Sequence, residues 1–477
     1  MDDGLPPPSL ALRLAAATIV GEHGRLVAGG FPFRMLRLTP AGAHLVAGWR
    51  DGAPIGDRAP ARRLARTLLE AGLADPDPPP RATLDDLAIV VPVRDQAEQL
   101  DRCLAALRDV TPADTTLVVV DDGSADRASV AAAAARRGAA LVRHDEPRGP
   151  AAARNSGVMK TDQRLVAFVD ADVVVQPGCL QRLAAHLDDP RVGAAAPRVL
   201  GLCEEGVIGG YEATRSSLDM GAAPAAVAPG RPVSYVPSTT LAVRRAALPQ
   251  GGFDETLHIG EDVDLVWRMH AGGHRIVYDP TAAVRHEHRT RPLAFLQRRW
   301  AYARSIGLLA RRHPDALPAW RTDPLTAVAA TCLAAGRPFL ALTLAELRIA
   351  QIRRVLAAHT DEPDRLAATL SWRYGSGSLR GAGHAIRRAW SPLVVLAAIR
   401  RRGAWRLLLG AYAVRLLEPA APRRPGDLLL DIVDDAVAAA GTWSSCIEHR
   451  TLRPLLISFR PPRARAPSDQ DPGWINN

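Results

Sequence analysis

The sequence predicts an α/β protein in three parts: a small winged-helix-like N-terminal module (residues 1–80), a Rossmann-like domain with a mostly parallel sheet (81–300) and an α-helical C-terminal region (301–477). Three observations predict this. Short apolar runs alternate with helical patterns in the middle of the chain, a proline-rich stretch precedes them, and an Ala/Leu/Arg-rich helical stretch follows. Strands that alternate with helices are typical of βαβ units. The hydrophobic content of 47% excludes a disordered chain.

The N-terminal module is predicted to contain a strand and two helices. Residues 26–28 form the strand, Thr39 caps a helix with proline in its first turn, and residues 62–71 form a second helix that ends at Gly72. The four prolines in residues 75–80 predict a stiff extended spacer. A module of this size is too small for an enzyme and indicates a packing domain or a docking domain for pathway proteins.

Four apolar runs predict the strands of the central domain. They are residues 87–93, 117–120, 141–142 and 165–169. Their near-continuous apolar character is typical of strands that are covered on both faces. Right-handed crossovers place the carboxyl ends of such strands at one edge of the sheet, where ligands bind.

Two acidic motifs follow predicted strands at that edge. Asp121 and Asp122 can accept a hydrogen bond from N3–H of uracil, or can simply end the strand in an Asp-Gly turn. Asp170 and Asp172 are alternate residues, so their side chains project in the same direction and can face one cation. Carboxylate oxygens suit Mg²⁺ or Mn²⁺, which also bind diphosphate oxygens.

The other candidate site residues are an arginine, a further aspartate and two histidines. Arg154 lies on a predicted helix that follows Gly149. It can bind a diphosphate or a ribose there, or it can be an ordinary surface arginine. Asp262 begins a helix after a glycine-rich loop; it can act as a general base or complement the helix dipole. His286 and His288 share one strand face and can complete the ligand set of the cation, meet a phosphate, or be plain surface histidines.

Taken together, these motifs resemble the family 2 glycosyltransferases, which have the GT-A fold. The matching segments are VVPVRD (90–95), VDDGS (120–124), RGPAAARNSG (148–157), VDAD (169–172) and GEDVDLVWR (260–268). The resemblance covers residues 87 to about 290 and implies a metal-dependent, inverting hexosyltransferase that uses a UDP-sugar. The residue roles that it implies are Asp121 or Asp122 on uracil, Pro92 and Arg154 at the nucleotide, Asp170 on ribose, Asp172 on the metal and Asp262 as the base.

Two segments outside the five motifs resemble one particular group within this family. Residues 26–42 and 311–314 are similar to the mycofactocin-system glycosyltransferases of actinobacteria, whose first module is similar to peptide-chaperone domains. This implies transfer of glucose from UDP-glucose to a peptide-derived redox cofactor precursor, building a β-1,4-linked glucan. Two departures stand out. Asp95 replaces an asparagine-like residue, and Gln297-Arg-Arg-Trp300 differs from the Gln-x-x-Arg-Trp motif of processive synthases, so processivity does not follow.

Charge and cysteine usage bear on location and partners. Residues 285–465 contain 30 Lys and Arg residues but only 13 Asp and Glu residues, which indicates either attraction to an anionic membrane surface or a solvated arginine-rich face. The five cysteines are scattered, and the acidic, proline-broken start does not fit a secretory signal, so a cytoplasmic protein is expected, with contact to the inner face of the membrane left open. Aromatic content of 5% and the lack of a known module disfavour nucleic-acid binding.

Two other functions remain open at this point. The basic helical region favours a membrane-associated glycosyltransferase with a lipid or polysaccharide acceptor. A sugar-nucleotide-binding scaffold without catalysis is the alternative that is not an enzyme. The apolar stretch 325–347 contains Arg337, and the shorter stretches 392–399 and 404–417 are broken by Arg402, Arg406 and Arg415. An arginine costs at least about 2.5 kcal/mol at a bilayer centre. These stretches are therefore predicted as amphipathic or core helices, with interfacial membrane contact as one outcome.

Overall fold

The computed structural model describes residues 4–203, 205–416, 418 and 426–459. They form two compact units. The first contains the described residues up to Ile19 together with Val27–Thr290, and the second contains Val20–Leu26 and the described residues from Arg291 onward. The outermost ends of the predicted N-terminal and C-terminal parts, residues 1–3 and 460–477, lie outside the described residues. The predicted division into three domains remains a prediction.

The N-terminal elements are short strands and two helices. They are β1 (Ala11–Leu14), β2 (Ile19–Gly21), β3 (Leu26–Gly29), β4 (Arg34–Arg37), α1 (Pro40–Arg50), α2 (Ala59–Ala71) and β5 (Ala74–Asp77). Thr39 caps α1 by accepting a hydrogen bond from Gly42 N–H at 3.1 Å, and Gly72 ends α2 with a left-handed φ of 68°. The residues predicted as a spacer begin instead with β5, which pairs antiparallel with β1. A two-stranded pair accepts proline because a strand there has an unpaired side.

The N-terminal elements have a hydrophobic core of their own and are tied to the rest of the first unit by buried charges. Val27, Leu68 and Leu73 in this core are fully buried. Arg66 of α2 forms two hydrogen bonds with the carboxylate of Asp189, at 3.0 and 2.6 Å, and both side chains are buried. The bidentate geometry fixes α2 against the central domain. The winged-helix resemblance of these elements remains a prediction.

The central sheet of the first unit has nine strands. They are β6 (Leu87–Val93), β7 (Thr116–Asp122), β8 (Ala140–His144), β9 (Leu165–Val169), β10 (Val173–Val175), β11 (Val192–Gly201), β12 (Ala225–Val227), β13 (Thr240–Arg244) and β14 (Arg275–His286). The order is β10-β14-β11-β13-β9-β6-β7-β8, and β12 pairs with β14. β8, β7, β6 and β9 run parallel, as do β11 and β14, whereas β13 joins the two sets in the antiparallel direction.

Helices cover this sheet between the strands. They are α3 (Ala97–Val110), α4 (Arg127–Arg136), α5 (Pro150–Met159), α6 (Cys179–His186), α7 (Gly206–Arg215) and α8 (Glu261–Ala271). The α/β class and the mostly parallel character of the predicted strands are confirmed. The antiparallel strands were not predicted, because their pairing partners are distant in sequence and two of them are only three residues long.

The second unit is helical, as predicted. Its main elements are α9 (Pro292–Arg312), α10 (Pro324–Ala334), α11 (Pro338–Ala357), α12 (Pro363–Ala385), α13 (Ser391–Arg400), α14 (Trp405–Leu416) and α15 (Asp427–Glu448), with the short parallel pair β15 (Trp320–Arg321) and β16 (Ile457–Ser458). A π-helical turn, Ile386–Trp390, connects α12 to α13. In the part of the chain that the structure describes, no helix is both long enough and apolar enough to cross a membrane.

Candidate active site

The predicted site residues meet at the carboxyl edge of the parallel strands. Asp121 and Asp122 end β7, and Asp170 directly follows β9. Pro92, near the end of β6, lies opposite Val120 in the parallel register and is only partly buried. Since β6 lies between β7 and β9, the fold brings together motifs that are separated by many residues in sequence.

Asp121 and Asp122 both hold loops of the protein. Asp121 is fully buried, accepts a hydrogen bond from Ser124 N–H at 2.9 Å and forms an ion pair with Arg143. Asp122 accepts hydrogen bonds at 2.8 Å from the backbone N–H groups of Arg148 and Gly149. These bonds fix the segment that leads into α5, so the acidic turn shapes the edge of the sheet whether or not it also contacts a base.

His144 adds a polar chain behind Asp122. One of its ring nitrogens lies 2.8 Å from the Asp122 carboxylate and the other lies 2.9 Å from Ser156 Oγ. All three side chains are buried. The contact orients both the carboxylate and α5. Sequence reasoning missed His144, because it lies at the end of a strand whose pattern gave no sign of a buried polar neighbour.

Arg154 connects the end of β9 to the start of α8. Its guanidinium donates to Asp170 at 2.7 Å and to Glu261 at 3.0 Å, and it lies over the ring of Phe253 at 5.3 Å from the centroid. Burial opposes the charged form, but the Asp170 and Glu261 carboxylates outweigh it and raise the pKa of Arg154 above its ordinary value. Arg154 therefore remains charged and positions Asp170 at the edge where a ribose role is predicted for it.

Asp262 lies one residue into α8 and is partly exposed. Its carboxylate accepts hydrogen bonds from Val263 N–H at 2.8 Å and from Ser238 N–H at 3.3 Å. Burial raises the pKa of Asp262, and burial together with the adjacent Asp262 charge raises the pKa of Glu261 to about 7. A carboxylate with a raised pKa is suited to accept a proton in the neutral pH range.

Asp172, His286 and His288 form a contact chain where β10 pairs with β14. The backbone carbonyl of Asp172 accepts a hydrogen bond from Glu287 N–H at 3.0 Å. His286 Nε2 lies 3.4 Å from Asp172 Oδ1, and the Nδ1 atoms of the two histidines are 3.2 Å apart. The strand pairing therefore brings the predicted metal ligands together across more than a hundred residues of sequence.

Glu212 extends this contact chain and was not predicted. The buried carboxylate on α7 lies 3.7 Å from His288 Nδ1. α7 follows β11 in a segment where the sequence shows no motif, so no signal identified it. Within the described ranges, no group of three or more His, Cys, Asp or Glu residues has the arrangement of a ready-made metal centre.

The donor atoms at Asp172 and His286 nevertheless fit a divalent cation. Adjacent ligands of an octahedral ion at 2.0–2.1 Å lie about 3 Å apart, close to the 3.4 Å between His286 Nε2 and Asp172 Oδ1. Carboxylate and imidazole together suit Mn²⁺, and carboxylate suits Mg²⁺.

Comparisons with known proteins identify the family of the chain. Residues 88–248 match the family profile "Glycosyl transferase family 2", which covers β6 to the end of β13. The chain is 36% identical over 479 residues to the pre-mycofactocin glycosyltransferase of Mycobacterium tuberculosis (strain H37Rv), covering 95% of this chain and 98% of that protein. It is 29% identical over 222 residues to the succinoglycan biosynthesis protein ExoU of Rhizobium meliloti, covering 40% of this chain and 58% of that protein.

Among solved structures, one similar chain is the mannosyltransferase of Pyrobaculum calidifontis in complex with GDP-Man and Mn²⁺. It has a TM-score of 0.46 and 19% sequence identity, over 78% of this chain and 90% of that chain. The sequence likeness to the mycobacterial protein runs through nearly the whole of both chains, and the family profile matches the segments that carry Asp121, Asp122 and Asp170. On these grounds the chain belongs to the family 2 glycosyltransferases.

Proposed function

We propose that this glycosyltransferase transfers glucose from UDP-glucose to pre-mycofactocin, a peptide-derived redox cofactor precursor, and extends a β-1,4-linked glucan on it. The observation that carries this proposal is the 36% identity to the mycobacterial pre-mycofactocin glycosyltransferase across 95% of this chain. The alignment includes the N-terminal module and the helical unit as well as the catalytic sheet. The N-terminal module is proposed as the docking site for the peptide or for a pathway protein that carries it.

The donor would bind at the carboxyl edge of β6, β7 and β9. Asp121 or Asp122 would accept a hydrogen bond from N3–H of uracil, beside Pro92, and Asp170 would bind the ribose hydroxyls. Arg154 supports this arrangement because it holds Asp170 by a 2.7 Å hydrogen bond from a buried position. A neutral sugar ring and a charged diphosphate would then extend from the nucleotide towards Asp172.

Asp172 and His286 would hold Mg²⁺ or Mn²⁺, with His288 oriented by Glu212 behind them. When bound, the cation supplies positive charge that stabilises the departing diphosphate. The residues of the chain supply the remaining chemistry.

Asp262 would act as the general base. It would take the proton from the acceptor hydroxyl while that oxygen forms a bond to the anomeric carbon on the face opposite the diphosphate. The bond between the anomeric carbon and the diphosphate oxygen breaks, and its electron pair leaves with UDP. This single displacement inverts the anomeric configuration. The raised pKa of Asp262 supports the proton transfer, because a stronger base accepts the proton more readily.

The test is a transfer assay with purified full-length chain, UDP-glucose and pre-mycofactocin, with Mn²⁺, Mg²⁺ or a chelator, and detection of hexose-bearing products by mass spectrometry. We expect cation-dependent addition of glucose units. Asp172→Asn should lower the rate about 10²–10³-fold, the size of effect seen when one group that stabilises developing charge is removed. Asp162→Asn, at an exposed carboxylate away from the site, is the control and should leave the rate unchanged.

Three outcomes would contradict the proposal. Transfer by Asp172→Asn at the wild-type rate would reject the cation site. Transfer to a lipid or polysaccharide but not to pre-mycofactocin would mean that the proposed acceptor is wrong. UDP-glucose binding without transfer to any acceptor would indicate a scaffold.

A further inference from the structure

Two helices of the second unit expose large apolar side chains and bury almost nothing. Val394 is the one buried residue of α13, and Ala411 is the one buried residue of α14. Their exposed large apolar side chains are Leu393, Val395, Leu396, Ile399, Trp405, Leu409 and Leu416. A helix that packs only within its own protein turns its apolar stripe towards the core. Clustered apolar exposure of this kind marks an interaction surface.

The first half of α15 has the opposite of the usual polarity. Asp431, Asp434 and Asp435 follow helical spacing, so they lie on one face, and all three are buried. Leu429, before these residues, and Ile432, between the first two of them, are exposed, Leu429 by 65%. The acidic stripe of this helix therefore faces the protein, and its apolar stripe faces outward.

The buried acids of α15 are neutralised by arginines of neighbouring elements. The pairs are Asp431 with Arg415 at 3.3 Å, Asp435 with Arg387 at 3.0 Å, and Asp434 with Arg388 at 3.3 Å. Arg415 belongs to α14, and the other two belong to the π-helical turn before α13. Inward, paired ionisable groups beneath an apolar exterior are the arrangement that a hydrocarbon environment requires, because an unpaired charge there is costly.

Basic and aromatic side chains border this apolar exterior. Arg400, Arg401 and Arg406 are exposed at the connection between α13 and α14. They flank Ile399, which is 76% exposed, and Trp405. Tryptophan and arginine are enriched where a protein meets the headgroup layer, and clustered arginines attract anionic lipid. The excess of basic residues in this part of the chain has the sign that such lipid requires.

We propose that α13, α14 and the first half of α15, here called the α13–α15 surface, bind an anionic phospholipid bilayer. α13 packs against both α14 and α15, so the three helices are neighbours. α13 and α14 contain 10 and 12 residues, which corresponds to about 15–18 Å against a hydrocarbon core of about 30 Å. They therefore lie in the plane of the interface, with Leu396 and Ile399 among the upper acyl chains and the arginines at the phosphates. This surface is independent of the proposed sugar and acceptor.

The test is vesicle flotation of the full-length chain with phosphatidylcholine alone or mixed with phosphatidylglycerol. We expect flotation with the mixed vesicles. The double variant Leu396→Glu/Ile399→Glu should lower partitioning at least about tenfold, since it removes two apolar side chains from the interface. Arg400→Gln and Arg401→Gln should each lower it about fivefold, and only with phosphatidylglycerol present. Met159→Glu, at a residue exposed by 75% outside this surface, is the matched control and should float like the wild type.

Failure of the wild-type chain to float with phosphatidylglycerol vesicles would overturn the proposal. So would flotation that is unaffected by the Leu396→Glu/Ile399→Glu variant. Light scattering identifies the competing occupant, a second copy of the chain: a wild-type dimer that this variant converts to a monomer, with flotation unchanged, would assign the surface to self-association. Circular dichroism verifies that the variants are folded, and the transfer assay without vesicles reports separately on the proposed function.

Discussion

At the scale of single residues, the site contains one buried guanidinium group and three carboxylates whose negative charges it balances only in part. Arg154 pairs with Asp170 and Glu261, while Asp262 lies next to Glu261 and has its own backbone donors. Arg154 cannot neutralise all three carboxylates, so burial leaves the pKa values of Glu261 and Asp262 raised. A raised pKa at the start of a helix is unexpected, because the helix dipole alone favours the charged form. Burial therefore outweighs the helix dipole at this position.

The first prediction concerns the pH dependence of transfer. A general base must be ionised, so the rate should fall as the pH is lowered through the raised pKa of Asp262, and this acid limb should lie above the ordinary aspartate value of about 3.9. Glu261→Gln should move the limb to lower pH, because removal of a neighbouring negative charge favours ionised Asp262. The pH profile of kcat measures both. A limb that stays in place in Glu261→Gln would contradict the coupling.

A second prediction separates proton transfer from binding. Asp262→Asn should lower kcat about 10²–10⁴-fold, the usual contribution of a general base. The affinity for UDP-glucose, measured by calorimetry, should stay close to that of the wild type, because no donor contact is assigned to this side chain. Asp114→Asn, at an exposed carboxylate outside the site, is the control. Equal losses of binding and of rate would place Asp262 in the donor site instead.

At the scale of elements, the position of α5 on the sheet determines where Arg154 points. α5 approaches β6 so closely that a Cβ atom on Gly157 would lie 2.2 Å from a methyl carbon of Val90. At its other end, the turn that begins α5 is held by Asp122. A glycine in the RNSG motif therefore serves close packing of a helix on a strand.

The third prediction tests this close packing. Gly157→Ala should lower the free energy of unfolding by about 1–3 kcal/mol, because the added methyl group overpacks the core. Gly48→Ala is the matched control on α1, where the nearest atom is an ordinary 3.9 Å away. It should be neutral or stabilising by up to about 1 kcal/mol. Urea unfolding followed by circular dichroism compares the two, and equal effects would contradict the packing argument.

At the scale of the whole molecule, the N-terminal elements other than Val20–Leu26 belong to the same compact unit as the catalytic sheet. Arg66 and Asp189 join them, and Arg275 of β14 lies 3.6 Å from the same carboxylate. A proline-rich segment alone would suggest a module held apart from the sheet by a stiff spacer. The buried ion pairs show instead that the module and the sheet of the first unit share an interface.

The fourth prediction follows from burial of that pair. Arg66→Leu leaves Asp189 without its bidentate partner, and breaking a buried pair in this way costs about 3–5 kcal/mol. Arg63→Leu changes an exposed arginine on the same helix and should alter stability by no more than about 0.5 kcal/mol. Thermal unfolding of the two variants measures and compares these losses of stability. A loss for Arg66→Leu no larger than that for Arg63→Leu would mean that α2 is not anchored by this contact.

The sequence by itself determined the α/β class, the parallel strands and their order along the chain, and the acidic motifs at strand ends. These features depend on local pattern: continuous apolar runs, capping residues and carboxylates at a spacing of two. The cap at Thr39 and the end of α2 at Gly72 follow from the same local chemistry.

Only the tertiary structure decided which side chains meet. Sequence spacing does not predict the contacts of Glu212 with His288, His144 with Asp122 and Arg154 with Glu261. It also does not predict that the apolar face of α15 points outward. The reason is physical: hydrogen bonds, ion pairs and burial are set by distance in space, and the chain brings these groups together only when the strands have paired and the helices have packed.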